Sequence, residues 1–423
     1  ASLMARLDRL GPGPKEVAQI AAVIGREFSY RLLAPIVTRG DNELVAALGR
    51  LGEAGLVFAR GAPPASTYLF KHALVRDVAY ASLLRRRREE LHAQIVAALE
   101  TEFPETVEAQ PELLARHLTE AGVVERAVTW WRRAGERATE RSANIEAVAH
   151  LNHGLKVLQR LPEGRQHDEL ELSLQIALIA PHWASTGFAS REAEHVAQRA
   201  VDLARRLGSD TLEEFRALLA CSLFYMVSGQ TRTGVTLGAQ CLGVAERIRD
   251  PSLLGYAHWF MGNSLLWLGD LPMARSHLER GIAEYDPERA RADAARYNFD
   301  PGISCRSFLS RVLWHLGFPV QGLACAEDAV TAARAARQPF GIVWALSWGA
   351  ALYQLCGDAA RTEQVASEDL DLATEQVLPF FGAHAMVLGG WAAVKRGQGE
   401  AGLETIREGI DAFRATGSAI ELS

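Results

Sequence analysis

Five glycines constrain this chain more than any other feature. Each follows an apolar helix-like stretch and precedes an amphipathic one, in the runs "VSGQ", "WLGD", "HLGF", "LCGD" and "KRGQ". They place Gly229, Gly269, Gly317, Gly357 and Gly397 at successive intervals of 40, 48, 40 and 40 residues. Self-similarity at a fixed period of this length is the mark of a repeat architecture. From about residue 125 onward helical periodicity dominates and strand-like alternation is nearly absent. The segments are rich in Ala, Leu, Arg and Glu, which favour helix.

The unit resembles a tetratricopeptide repeat, a helix–turn–helix whose small residues let two helices pack closely. In one unit Trp131, Ala134, Gly135 and Ala138 take the first-helix sites, with Ala147 and Leu151 on the second helix. In another, His258, Met261, Gly262 and Leu265 are followed by Ala274 and Leu278. A third has Met386, Gly389, Gly390 and Ala393, then Gly402 and Ile406. Tyr225 and Tyr353 fall where the repeat consensus has tyrosine. These aromatic and small residues read as repeat core. Periods near 40 exceed the usual length of about 34, so helices or links are longer here. The 48-residue interval contains "YDPERARADAARYNFDPGIS", where Asp300-Pro301-Gly302 reads as a turn in a projecting insertion. Stacked repeats leave a concave groove, which suits a peptide or partner helix better than chemistry.

Bulk properties set the class. Of 423 residues, 48% are hydrophobic and 23% charged, ordinary for a globular protein. A net charge of −6 argues against a chain built to coat nucleic acid. The five cysteines (Cys221, Cys241, Cys305, Cys325 and Cys356) form no C-x-x-C pair and read as reduced core residues of a cytoplasmic protein. No apolar run is long enough for a membrane span. The chain opens inside an amphipathic helix without an initiator Met and closes where another helix begins, so a piece of a longer polypeptide is expected.

The front segment differs. "KEVAQIAAVIG" reads as a helix ended by Gly25, "YRLLAPIV" as a short helix, and "NELVAALGRLGEAGLV" as a third helix with Asn42 as its N-cap. "VFARGAPPASTYLFKH" then alternates on either side of a Gly-Ala-Pro-Pro turn and predicts a β-hairpin. Three helices and a hairpin match the winged-helix plan. The third helix offers Glu43, Arg50 and Glu53, a partly acidic face, so DNA is an improbable partner. The run Arg85-Arg86-Arg87-Arg88 precedes Glu89 and Glu90 and reads as a solvated, paired helix face, or as a contact to phosphates of a partner domain.

Recognisable catalytic sets are missing. No phosphate-cradling G-x-x-x-x-G-K-[ST] occurs, and the prolines of "GPGPK" remove the N–H donors such a nest needs. No H-E-x-x-H or nucleophile elbow is present. The chain is therefore expected not to be an enzyme itself and to hold no cofactor or metal of its own.

Three long runs carry a further resemblance: "SLMARLDRLGPGPKEVAQIAAVIGREFSY", "FKHALVRDVAYASLL" and "QPELLARHLTEAGVVERAVTWWRRAGERA". They resemble the region after the ATPase core in bacterial STAND proteins, signal-transduction ATPases with numerous domains. In one group of these, a class III adenylate/guanylate cyclase domain precedes the ATPase and a tetratricopeptide tail; "YNFDPGISCRSFLSRVLWHLGFPVQGL" and "FRATGSAIE" are similar to that tail. The resemblance implies ATP or ADP with Mg in an adjacent ATPase domain of the parent protein. It also implies a role for "FKHALVRDVA": Lys71, His72 and Ala73 stand where relatives carry Met-His-Asp, whose histidine meets the ADP phosphates. Ala73 departs from that motif by lacking the acid. An imidazole N–H can donate to a phosphate and Lys71 would add charge; alternatively His72 is a capping or surface residue.

The combined expectation is an all-α chain: a winged-helix domain over 1–80 with one β-hairpin, linking helices over 81–124, and a tetratricopeptide-like solenoid over 125–423, truncated at its C-terminus. Its expected role is the sensor and regulatory part of a multidomain ATPase, with a protein, peptide or small ligand in the groove. A winged-helix transcription regulator and a free-standing peptide-binding scaffold are the alternatives.

Overall fold

The computed structural model describes residues 3–141, 143–187, 190–208, 211–286, 288–289 and 300–418. It divides into two compact units: residues 1–137 with 149–163, and residues 138–148 with 164–423.

The first unit opens with α1 (Leu3–Asp8) and α2 (Pro12–Ile24), whose buried face carries Val17, Ile20 and Val23. Gly25 ends α2, its N–H donating to the Ala21 carbonyl at 3.1 Å. A short strand β1 (Glu27–Ser29) and helix α3 (Tyr30–Leu33) follow, with the Ser29 hydroxyl capping α3. Helix α4 (Asp41–Glu53) starts at Gly40. Asn42, expected as its N-cap, therefore lies inside the first turn; Gly40 already supplies the extended backbone a cap requires. Strands β2 (Val57–Arg60) and β3 (Thr67–Phe70) form the expected hairpin. The sheet has order β1-β3-β2, all antiparallel, with Phe28 opposite Tyr68. Three residues of β1 are too few to show alternation, so this third strand had no sequence signal. Helices α5 (Ala73–Ala81), α6 (Arg85–Glu102), α7 (Pro104–Ala109) and α8 (Pro111–Glu120) complete the run before the repeats. Arg85 and Arg86 pair with Glu89 and Glu90 at one-turn spacing on a solvated face.

Beyond them lies a tetratricopeptide-like array of antiparallel helix pairs. Helices α9 (Val124–Glu140) and α10 (Asn144–Leu158) hold residues of both units. The second unit continues with α11 (Arg165–Thr186), α12 (Arg191–Leu207), α13 (Leu212–Val227), α14 (Thr231–Ile248), α15 (Pro251–Leu268) and α16 (Leu271–Ala283). It ends with α17 (Pro301–His315), α18 (Pro319–Ala336), α19 (Pro339–Leu355), α20 (Ala359–Glu375), α21 (Pro379–Lys395) and α22 (Gly399–Ala415).

The five periodic glycines sit at the turns inside the last five pairs, all at positive φ between 76° and 92°. At Gly269 the turn is closed by N–H donation from Gly269 to Leu266 and from Asp270 to Leu265. Asp270 then caps α16 by accepting from the Met273 N–H. The "GD" of "WLGD" thus ends one helix and starts the next, and Asp358 repeats the device at Arg361.

Glycines inside the helices act differently. A Cβ on Gly262 would stand 2.4 Å from Leu278 Cγ, and one on Gly390 2.7 Å from the Gly402 carbonyl oxygen. These are the small-residue sites recognised in the sequence, and they bring paired helices to near contact. Residues 290–299 of the 48-residue interval lie outside the described residues, as does residue 287. Its end corrects one expectation: Asp300-Pro301-Gly302 is a helix start, not a turn. Asp300 accepts from the Ile303 N–H at 3.0 Å, Pro301 opens α17, and Gly302 leaves room for the Tyr285 ring.

Gly390→Ala forces a methyl against backbone rather than against a mobile side chain. Chemical denaturation is expected to show a loss of about 1–3 kcal/mol, with the unfolding m-value unchanged.

Candidate functional site

The first helix of each pair in the second unit is buried on more than one side. In α19, residues Val343 to Tyr353 are buried without interruption. One side packs on the pair's second helix; the other lines a narrow apolar recess, partly open to solvent. Its wall is contributed by first helices alone: Leu223, Met226 and Val227 from α13, Asn263 and Trp267 from α15, and Phe308 from α17. Trp344 and Trp348 of α19 and Phe380 and Phe381 of α21 complete it. The rings brace one another. Phe308 lies 4.9 Å from Trp348, and Trp344 lies 5.8 Å from both Phe308 and Phe381 between centroids.

Polar groups at this wall are few. Trp267 Nε1 donates to Asn263 Oδ1 at 2.9 Å. The half-exposed edge of that pair is continued by Arg311, whose guanidinium lies 5.0 Å from the Trp267 ring and 5.1 Å from the Trp348 ring. None of these wall aromatics is singled out in the sequence reading: they are core on one side and line the recess on the other. A sequence signal existed in hindsight, because α15, α19 and α21 are apolar all round rather than along one stripe.

The residues singled out in advance lie elsewhere, in the first unit. His72 occupies the N-cap position of α5 with φ −130°, but its side chain accepts no capping bond, so the capping alternative is corrected to an exposed surface residue. Lys71 is also exposed, with its ammonium 5.4 Å from the Phe58 ring centroid. Both side chains are adjacent to solvent and neither lies in a pocket described here.

Several buried titratable groups lie apart from the cavity. His92 and His117 meet Nδ1 to Nδ1 at 2.8 Å, and His258 and His277 do so at 3.0 Å. Each contact needs one neutral ring to donate and the other to accept. Burial holds His92 down at about 4, His117 at about 3 and His258 at about 4, and lowers His277 as well. Ser347 and His384 bond at 2.7 Å beside Asp369 in the core of α19, α20 and α21. Ser347 and Asp369 are fully buried, so this Ser–His–Asp set has no access for a substrate. Burial pushes the Asp369 carboxyl up to about 8, only partly offset by the Ser347 hydroxyl. His167, Asp168 and Glu171 bring ligand atoms within 4.8 Å of one another. Arg199 grips both oxygens of Glu171 at 2.7 and 2.6 Å and Arg206 pairs with Asp168, so cations of the protein already serve these carboxylates. Among the described residues, no helix is long and apolar enough to cross a membrane.

Fold and cavity together define a tetratricopeptide-like helical repeat protein. No family model matches the chain. An uncharacterised protein of Rhizobium meliloti (strain 1021) is 24% identical over 428 residues, covering 99% of this chain and 41% of the relative. The chain thus spans about two fifths of the length of the curated relative it matches. Among solved structures, aspartyl phosphate phosphatase F from Bacillus subtilis aligns with a TM-score of 0.55 and 10% identity, over 97% of this chain and 96% of that one. The Rap conjugation gene regulator of plasmid pLS20, solved with a Phr peptide, aligns with a TM-score of 0.53 and 14% identity, over 78% and 91%. These likenesses place the chain in the helical-repeat fold.

The buried groups set a pH dependence whose sign follows from proton binding. Between about pH 4 and 6.5, unfolded imidazoles bind protons that the buried pairs refuse, so stability is lost as pH falls through that window. Asp369 acts oppositely: folded, it keeps a proton up to about pH 8 that the unfolded carboxyl releases near 3.8, so its contribution is lost as pH rises. Comparing wild type with Asp369→Asn cancels the other groups. Between pH 6.5 and 8 the wild type is expected to lose stability relative to the variant by about 1.4 kcal/mol per pH unit, measured by denaturant titration at each pH.

Proposed function

We infer that this chain is a sensor module: its repeat array binds a peptide or an extended protein segment, and its first unit relays occupancy to a neighbouring regulatory domain. One observation carries the binding half. Five successive first helices turn apolar side chains, aromatic from the last four, toward a common recess rather than closing it completely. The Rap regulator of similar fold was solved with a peptide, which supports the class of ligand. Selection of peptides from a random display library on the whole chain is the test. Enrichment of a consensus is expected, with affinity reduced at least about tenfold by Phe380→Ala, a wall residue whose loss removes apolar contact. No enrichment would overturn the binding reading.

The relay half rests on the resemblance to STAND ATPases. In this reading the helices and three-stranded sheet of the first unit are a winged-helix domain beside an ATPase domain, of the group that carries class III cyclase domains. The chain itself performs no catalysis; a ligand in the groove biases a two-state assembly and hence ADP/ATP exchange next door. The exposed placement of His72 and Lys71 at the start of α5 supports a contact to ADP phosphate there. The face of α4 exposes Glu43 and Glu53 beside Arg50, which favours this reading over a DNA-binding regulator. Calorimetric ADP titration of the longer protein, with its ATPase domain, is expected to show about a tenfold weaker affinity for His72→Ala. Equal affinities would remove His72 from any nucleotide role.

A further inference from the structure

The repeat array ends by returning to where the second unit begins. After α22 the chain bends at Thr416-Gly417-Ser418, with Gly417 at φ 78°. Thr416 Oγ1 donates to the Phe413 carbonyl at 2.6 Å and accepts from the Ser418 N–H at 3.4 Å, so the shape of the bend is set locally. Its contacts are not local. Thr416 and Ser418 are buried. A Cβ on Gly187, just past α11, would stand 2.6 Å from the Thr416 carbonyl oxygen, so only glycine lets the two backbones meet there. Ser418 Oγ donates to the Val227 carbonyl at 3.5 Å across 191 residues of sequence. Val227 is the last residue of α13, where a carbonyl has no partner within its own helix. Both ends of this contact adjoin the recess. Val227 lines it, and Phe413 packs its ring 4.8 Å from that of Phe380, which lines it from α21. Between them the inner face is drawn tight: Trp259 of α15 reaches Trp344 of α19 at 5.8 Å, past the intervening α17.

We propose that residues 416–418 are a latch that holds the array closed on its own aromatic wall, and that an extended peptide binds by capturing the unlatched form. This rests on the peptide-binding reading above and adds the step that admits the ligand. As it stands the recess has a free interior of about one water molecule, too little for a large side chain. The wall becomes a binding face only when α21 and α22 move away from α11 and α13. A latch must hold less firmly than the elements it joins. Each helix pair is secured by its own close seam, as at Gly262 and Gly390, and repeat arrays carry most of their stability in such nearest-neighbour contacts. The latch adds one long hydrogen bond and two small buried side chains between pairs that are far from neighbours, so it opens without unfolding any pair. A peptide that meets only the open array shifts the population toward it by its differential affinity.

The test opens the latch from either side, on the whole chain. Gly187→Ala puts a methyl where the Thr416 carbonyl lies, and Ser418→Glu forces a carboxylate into a buried position beside the Val227 carbonyl. Acrylamide quenching of tryptophan emission reads the closure, and fluorescence anisotropy of a labelled display-selected peptide reads binding. Both variants are expected to be quenched about twofold more strongly than the wild type and to bind the peptide about tenfold more tightly, because the cost of opening has been removed. Circular dichroism shows whether each variant folds. Ser418→Glu alters a residue outside every helix, so it carries the test if Gly187→Ala, strained at φ 93°, does not fold. Unchanged quenching in folded Ser418→Glu overturns the latch. Stronger quenching with unchanged or weaker peptide affinity overturns it as the step that admits the ligand, and leaves the peptide reading standing. If no peptide is selected on the wild type, the peptide reading falls by itself. Stronger quenching in the variants then still supports the latch, and unchanged quenching overturns it as well.

Discussion

The close approach of paired helices is what the rest of the second unit depends on. Gly262 against Leu278 and Gly390 against Gly402 leave no room for even a methyl group between helices. That proximity lets a leucine of one helix fill the space over a glycine of its partner, so each pair is satisfied by a narrow seam. The first helix then has apolar surface left over on its other side. Five such helices in succession supply the wall of the recess.

The contrast between first and second helices follows. Helices α14, α16, α20 and α22 keep a polar outer face with charges such as Arg275 and Glu279 one turn apart. The first helices carry large apolar side chains on more than one side, with buried polar groups among them. Ser347 bonds His384 and His258 bonds His277, all four buried, and burial lowers both His258 and His277. Asn263 Nδ2, Trp348 Nε1, Ser222 Oγ and Ser264 Oγ are buried without a hydrogen-bond partner. A low-dielectric wall makes that mismatch more consequential than the same groups would be at the surface.

The first unit uses another logic. A short three-stranded sheet stacks Phe28 on Tyr68 at 5.4 Å between ring centroids and closes over α2, whose apolar face is deeply buried. Its outer side leaves Phe58 and Leu74 exposed near Lys71 and His72. Exposed apolar residues beside cations are the composition expected of a surface that meets another domain, in keeping with the relay proposed for it.

The sequence by itself determined the repeat and its punctuation. A left-handed turn admits little but glycine, so Gly229, Gly269, Gly317, Gly357 and Gly397 announce their positions through a local backbone requirement. The hairpin over Val57–Phe70 was legible for the same reason, through alternation and turn residues. Strand β1 was not, since three residues carry no period, and Asp300-Pro301-Gly302 looked like a turn because helix starts and turns use the same residues. The cavity was decided only by tertiary structure. Its wall joins Met226 to Phe381 across 155 residues of sequence, and nothing local distinguishes a tryptophan packed between helices from one that faces a void. Which donors remain unmatched depends on the three-dimensional neighbours of each N–H, and those exist only once the pairs have stacked.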